Sequence, residues 1–241
     1  MCKFLILVFC LTGLTAFADL PLTAHWDFTK GSINSVDGKW KMRFRGSSEI
    51  VTENGVSSLQ PGMTTGMQPS GIECTVAKPE LSPSGAFRIE TEISFGEPTS
   101  SRTVMFIYDT KNVSYPSKNP SDNAGILFWI NRNFKRHDFV LGLCCGTGEK
   151  SFNVAGKWLP CKLGKKYLLS VEYDPNGTVT FSVDGQKTVV KTPFGGSLAP
   201  GFRRPVIGDR CGSLYCPLEG NIYWLKLYSA PAPAAQSAPK N

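Results

Sequence analysis

Histidine is nearly missing from this 241-residue chain, where His25 and His137 are the only two. A zinc-protease helix needs a paired-histidine motif, and none is present. The chain also lacks a Gly-x-Ser-x-Gly nucleophile elbow and a glycine-rich, phosphate-cradling loop leading into a helix. Those absences remove the motif-bearing esterase, nucleotide-binding and metalloprotease classes. Long helical periodicity is missing after the first residues, which removes helix bundles. The apolar run Phe4–Leu11 is too short to serve as a mature membrane span.

What the chain does have is turn-forming residues, 24 Gly and 17 Pro, which suit an all-β domain. Lys3, the run Phe4–Leu11 and the Ala16-Phe17-Ala18 end form the pattern of an export signal. The expected organisation is a signal peptide over 1–18, one β domain over 19–229 and a low-complexity Pro/Ala tail over 230–241. The expected location is secreted, periplasmic or otherwise extracytoplasmic, with no membrane span once the signal is removed.

Net charge is +7. A basic exported protein is drawn to polyanions such as acidic polysaccharide, although moderate charge also serves solubility. No nucleic-acid partner is expected. Beyond residue 18 the cysteines are Cys74, Cys144, Cys145, Cys161, Cys211 and Cys216, an even number that suggests disulfides in an exported chain. Cys211 with Cys216 would close the loop before the last strand. Cys161 with Cys145 or Cys144 is the next pairing. A zinc site is weaker, since only Cys211-x4-Cys216 has ligand-like spacing and no His lies near it.

Strand signals are dense. Tyr167–Tyr173 and Thr178–Val183 flank Asp174-Pro175-Asn176-Gly177, and Asp184-Gly185 leads into Lys187–Lys191, so a three-stranded meander is expected. Phe87–Phe95 alternates, with Phe87, Ile89, Thr91, Ile93 and Phe95 on one face. Val104–Tyr108, Ala124–Ile130, Asp138–Leu143 and Ser151–Leu159 follow, and Gly220–Tyr228 closes the series. Near the start, His25–Phe28 reads as a first strand. Lys39–Arg45 alternates Trp40, Met42 and Phe44 with Lys39, Lys41, Arg43 and Arg45, which is either a charge-guarded edge strand or a polyanion stripe. Glu49–Ser70 reads as loops with one short strand. Asn112-Val113-Ser114 and Asn176-Gly177-Thr178 are glycosylation sequons, meaningful only in a eukaryotic secretory pathway.

Together Gly164, Lys165, Tyr173-Asp174, Asn176-Gly177, Val183-Asp184-Gly185, Ile207-Gly208 and Gly220-x-Ile222 resemble the C-terminal half of laminin G-like, concanavalin A-like lectin/glucanase domains. The resemblance covers some 65 residues and implies a jelly-roll sandwich of two antiparallel sheets. It also implies that the first strand lies beside the closing one, and that Phe87–Phe95 and Val104–Tyr108 form a large hairpin. Two positions depart from the pattern. Lys166 replaces the usual Trp, and Tyr223 and Trp224 follow Ile222 where calcium-binding members carry an acidic ligand. Calcium is therefore possible without its usual closing-strand ligand, and no other cofactor is implied.

The fold hosts many activities, so function must be argued from a site. The glucanases' Glu-x-Asp-x-x-Glu set is absent. Glu90-x-Glu92 is the nearest carboxylate pair, about 6.5–7 Å apart on one strand face. His137, beside Arg132, Lys135 and Arg136, is the one histidine in a setting that suits lyase chemistry. A sugar-binding surface needs aromatic platforms with polar partners. The candidates are Tyr108, Trp129 and Trp158, with Asn131, Arg132 and His137 supplying hydrogen bonds, although Trp129 within Gly125–Ile130 also reads as core. The expected function is a non-catalytic module that binds a glycan or polysaccharide, with anionic polymers among the candidates. A polysaccharide lyase or glycosidase, and a structural or adhesion protein of the cell envelope, are the alternatives.

Overall fold

A computed structural model describes residues 20–62, 68–98, 103–111, 118–212 and 215–230. The expected export signal, the Asn112 sequon and nearly all of the Pro/Ala tail lie outside the described residues. In chain order the first strands are β1 (Leu22–Asp27), β2 (Met42–Phe44), β3 (Glu49–Glu53), β4 (Val56–Gln60), β5 (Ile72–Cys74) and β6 (Phe87–Phe95). Then come β7 (Val104–Asp109), β8 (Ile126–Asn133), β9 (Asp138–Gly146), β10 (Ser151–Ala155) and β11 (Leu159–Pro160). The last are β12 (Lys166–Asp174), β13 (Thr178–Val183), β14 (Gln186–Lys191), β15 (Val206–Ile207) and β16 (Gly220–Ser229). All pairings among these strands are antiparallel.

They form two sheets, as the resemblance implies. The first runs β14-β13-β12-β6-β16-β4-β3, with β1 also on β16; the second runs β10-β9-β8-β7-β15-β5-β2, with β11 also on β9. The core lies between them, because each strand turns its alternate apolar residues to the facing sheet. Phe95 and Tyr167 of the first sheet meet Phe139 of the second at ring-centroid distances of 4.9 and 5.2 Å. Phe87, Tyr173 and Phe152 form a second bridge of rings.

Local chemistry sets the hairpins. Asp184 (φ 50°) and Gly185 (φ 83°) are both left-handed, the geometry of a two-residue turn whose twist matches its strands. At the preceding turn only Gly177 (φ 82°) is left-handed. Asp174 pairs with Thr178, so the loop has three residues and Gly177 supplies its final left-handed step. Asn176 instead donates its N–H to the Asp174 carboxylate at 2.9 Å.

Three expectations change. Segment 49–60 is a full hairpin, β3–β4, turned by Asn54 (φ 50°) and Gly55 (φ 78°). β6 and β7 do not form a hairpin, since they lie in opposite sheets. The run Lys39–Arg45 is strand only over Met42–Phe44, and Trp40 is instead buried with its indole N–H donating to the Thr23 carbonyl at 3.2 Å. The first strand does pair beside the closing one, with Trp26 opposite Leu225.

Candidate functional site

The second sheet's outer face is a register lattice. One row reads Val104, Asn131, Val140; the next reads Phe106, Trp129, Gly142, Ala155; the third reads Asp109, Leu127, Cys144, Asn153. A groove of about 270 Å³ opens over these rows, lined by Val104, Phe106, Leu127, Trp129, Asn131, Asn153 and Cys216.

Gly142 gives the groove its floor. A Cβ at that position would lie 2.0 Å from Cζ2 and 2.1 Å from Cε2 of Trp129. The indole therefore lies directly on the bare backbone of β9, reaching from β8 toward β10. Its N–H donates to Asn153 Oδ1 at 2.9 Å, which fixes the ring's direction. The result is a half-buried aromatic plate with the Asn131 and Asn153 amides nearby. Aromatic faces bind apolar C–H surfaces, and side-chain amides donate and accept. That combination suits a ligand with one apolar face and a hydroxylated edge.

The wall beside β7 is built by residues 209–212 and 215–216, held down by two buried carboxylates. Asp109 accepts from Lys111 N at 2.7 Å and Cys211 N at 2.9 Å, and pairs with Arg210 Nε at 3.4 Å. Asp209 accepts from Ser70 N and from Cys216 N, each at 2.8 Å. Phe106 N closes the wall onto the Cys216 carbonyl at 3.0 Å. Burial pushes the Asp109 carboxyl up, opposed by Arg210 and the backbone N–H donors. Burial also pushes Asp209 up to about 6, against the same kind of donors.

Of the residues expected at a binding surface, Trp129 and Asn131 meet here. Trp129 is on the outer face, not in the core. Tyr108 is fully buried and its hydroxyl donates to the Leu81 carbonyl. A bulge between Phe106 and Tyr108 causes this, turning Ile107 and Tyr108 both inward where strict alternation would place Tyr108 beside Phe106. Arg132 is 5% exposed and faces away from the groove, donating to the Gly96 carbonyl at 2.9 Å and lying over the Phe134 ring at 4.9 Å. His137 is exposed at the β8–β9 turn with φ 51°. Trp158 is 36% exposed and lies under the Arg136 guanidinium at 4.8 Å, away from the groove. Sequence reasoning missed Gly142, Asn153 and Phe106. A glycine inside a strand pattern was the available signal, since it marks close approach of another group.

The carboxylates of Glu90 and Glu92 are ion-paired, to Arg88 at 3.1 Å and Lys166 at 3.3 Å. Among the described residues no group of three or more His, Cys, Asp or Glu side chains converges as a metal site would.

No disulfide joins the described cysteines. The expected Cys145–Cys161 and Cys144–Cys161 pairings fail on distance. Cys161 N donates to the His137 carbonyl at one end of β9, whereas Cys144 and Cys145 lie seven and eight residues along. That is more than ~20 Å of strand, against a Cα separation of about 7 Å at most for a disulfide. The Cys211–Cys216 pair is also not formed. The Cys211 thiol points to the Lys111 carbonyl at 2.9 Å, while Cys216 packs in the cluster of Phe106, Leu127 and Cys144.

No protein-family model and no curated protein sequence matches this chain. Solved structures do. Domain 4 of AbnA, a GH43 extracellular arabinanase from Geobacillus stearothermophilus, in complex with arabinotriose, is similar with TM-score 0.55 and 18% identity, over 87% of this chain and 93% of that one. The binding domain of botulinum neurotoxin DC in complex with rat synaptotagmin II is similar with TM-score 0.59 and 11% identity, over 86% and 48%. The same binding domain in complex with SialylT gives TM-score 0.54 and 11% identity, over 86% and 47%. The chain spans about half of each neurotoxin binding domain. At these identities the likeness establishes the two-sheet β-sandwich.

Proposed function

We propose that this chain is an exported, non-catalytic glycan-binding module of the laminin G-like, concanavalin A-like kind, and that its ligand lies on the Trp129 plate. The observation that carries this reading is the indole lying directly on Gly142, tied to Asn153 and flanked by Asn131. A sugar ring stacks its C–H face on such a plate and hydrogen-bonds its hydroxyls to the flanking amides. The arabinotriose and SialylT complexes of two similarly folded domains support a carbohydrate ligand. The signal-like residues 1–18 support export, with cleavage leaving 19–229 as the domain and 230–241 as a tail. The ion-paired state of Glu90 and Glu92 supports binding without hydrolysis.

The test is a glycan and polysaccharide array probed with the purified protein, with and without calcium. The expected result is binding to at least one neutral glycan, lost in Trp129→Ala and kept in Trp158→Ala. Loss in Trp158→Ala alone would move the site to the β8–β9 tip. Absence of glycan binding would reject the module and favour a structural or adhesion role.

A further inference from the structure

The same sheet carries a second chemistry at its other end. The column Lys41, Arg43, Arg45 occupies alternate positions of β2 and its extensions. Backbone bonds Thr75 N to Lys41 O (2.9 Å) and Arg45 N to Gly71 O (3.0 Å) keep the register beyond the strand. These cations therefore share the outer face, about 6.5–7 Å apart. Met42, between them, is buried in the core.

Charge guarding of an edge strand explains cations on β2 itself. It does not explain Arg204. That residue precedes β15, an interior strand two places in, yet its guanidinium approaches the Glu73 carboxylate at 4.0 Å, the same oxygen that holds Arg43. Glu73 therefore sits between two arginines and neutralises one. Arg45 is held in place, donating to the Arg210 carbonyl at 2.7 Å. Asp209 lies near Arg45, but its oxygens are buried and already accept backbone N–H groups. Arg43 and Arg204 remain about half exposed.

We propose that this face, carrying Lys41, Arg43, Arg45 and Arg204, is an anion-binding surface for the carboxylate or sulfate groups of an acidic polysaccharide. Guanidinium forks bind two oxygens of a planar carboxylate or of a tetrahedral sulfate through paired hydrogen bonds. A row of cations along a strand suits an extended, repeating polyanion. A bilayer would call for several apolar side chains projecting beside the cations; Phe44, the exposed ring on β2, alternates to the other side of the strand from Arg43, and Phe202, the exposed ring near Arg204, has the Arg203 guanidinium over it at 5.4 Å. The β2 cations lie four strand spacings, roughly 19 Å, from the strand of Trp129, and β15, which Arg204 precedes, lies two spacings from it. The surface does not depend on the Trp129 reading.

The test is equilibrium binding of the full protein to heparin, alginate and neutral dextran at about 0.15 M salt, where exposed pairs are already screened beyond ~8 Å. Heparin or alginate should bind and dextran should not bind this surface. Arg43→Gln with Arg204→Gln should weaken binding by about tenfold or more, equivalent to about 1.4 kcal/mol, with an unchanged circular dichroism spectrum. Trp129→Ala should leave it unchanged, which separates this surface from the groove. Failure of the native protein to bind either polyanion would overturn the proposal, as would equal binding by the double variant. Binding to phosphatidylserine vesicles in place of both polysaccharides would overturn it in favour of a membrane surface.

Discussion

Replacing Gly142 by Ala puts a methyl group where the Trp129 indole lies. Gly142 has no left-handed φ, so alanine can take its backbone, and the cost falls on the ring. The new Cβ would be 2.0–2.5 Å from three ring carbons, so the indole must lift off β9. A Trp side chain buries about 150–250 Å². Lifting one face uncovers on the order of 100 Å², which costs about 2.5 kcal/mol at about 25 cal/mol per Å². Breaking the bond to Asn153 adds about 1 kcal/mol. Relief of the glycine penalty in a strand returns roughly 0.5–1 kcal/mol. The net expectation for Gly142→Ala is a loss of about 2–3 kcal/mol in urea unfolding followed by far-ultraviolet circular dichroism. In a Trp129→Ala background the same change should be neutral or slightly stabilising. The double-mutant cycle thus gives a coupling of about 3 kcal/mol. Equal effects of Gly142→Ala in the two backgrounds would refute the plate geometry.

Other consequences concern the residues around the groove. Asp209, raised to about 6 from 3.8, binds its proton more tightly in the folded state, so its contribution is full below pH ~4 and is lost as pH rises through about 6. Between those values the stability advantage of the native protein over Asp209→Asn should shrink by up to about 3 kcal/mol, read by urea unfolding at each pH; a constant difference would refute the assignment. Tyr108→Phe should cost about 1–2 kcal/mol by leaving the Leu81 carbonyl unpaired, with glycan binding unchanged. Arg132→Met should lower the thermal midpoint by removing the donor to Gly96 and the ring contacts of Phe95 and Phe134, again with groove binding unchanged. Loss of glycan binding in Arg132→Met at intact fold would contradict its separation from the groove.

Much of the sandwich is legible in the sequence because hairpins are local. Asp184-Gly185 and the Asn176-Gly177 region carry their turn chemistry within four residues, and Phe87–Phe95 shows its inward face by simple alternation. The Asn54-Gly55 hairpin carried the same signal inside a run whose polar composition hid it. What was not legible depends on events between distant segments. Which sheet β7 joins is decided by β15 and β8, not by the preceding strand. Tyr108 reads as an outward aromatic until one bulged residue turns it inward. Trp129 reads as core because Leu127 and Phe128 beside it are both apolar. That strand is apolar on two faces, one packed in the sandwich and one packed against Phe106 and Cys216. The Cys161 pairings failed because sequence order said nothing of position along β9, and Cys211–Cys216 failed because the two thiols find separate partners.

The most direct measurement is a titration of the tryptophan indole N–H signals by nuclear magnetic resonance, using the tightest glycan found on the array. The chain has 5 Trp, so Trp26, Trp40, Trp129, Trp158 and Trp224 each report one location. The Trp129 signal should shift in a saturable way while Trp26 and Trp40, buried in the core, stay fixed. Saturable shifts at Trp158 or Trp224 with Trp129 unmoved would contradict the account.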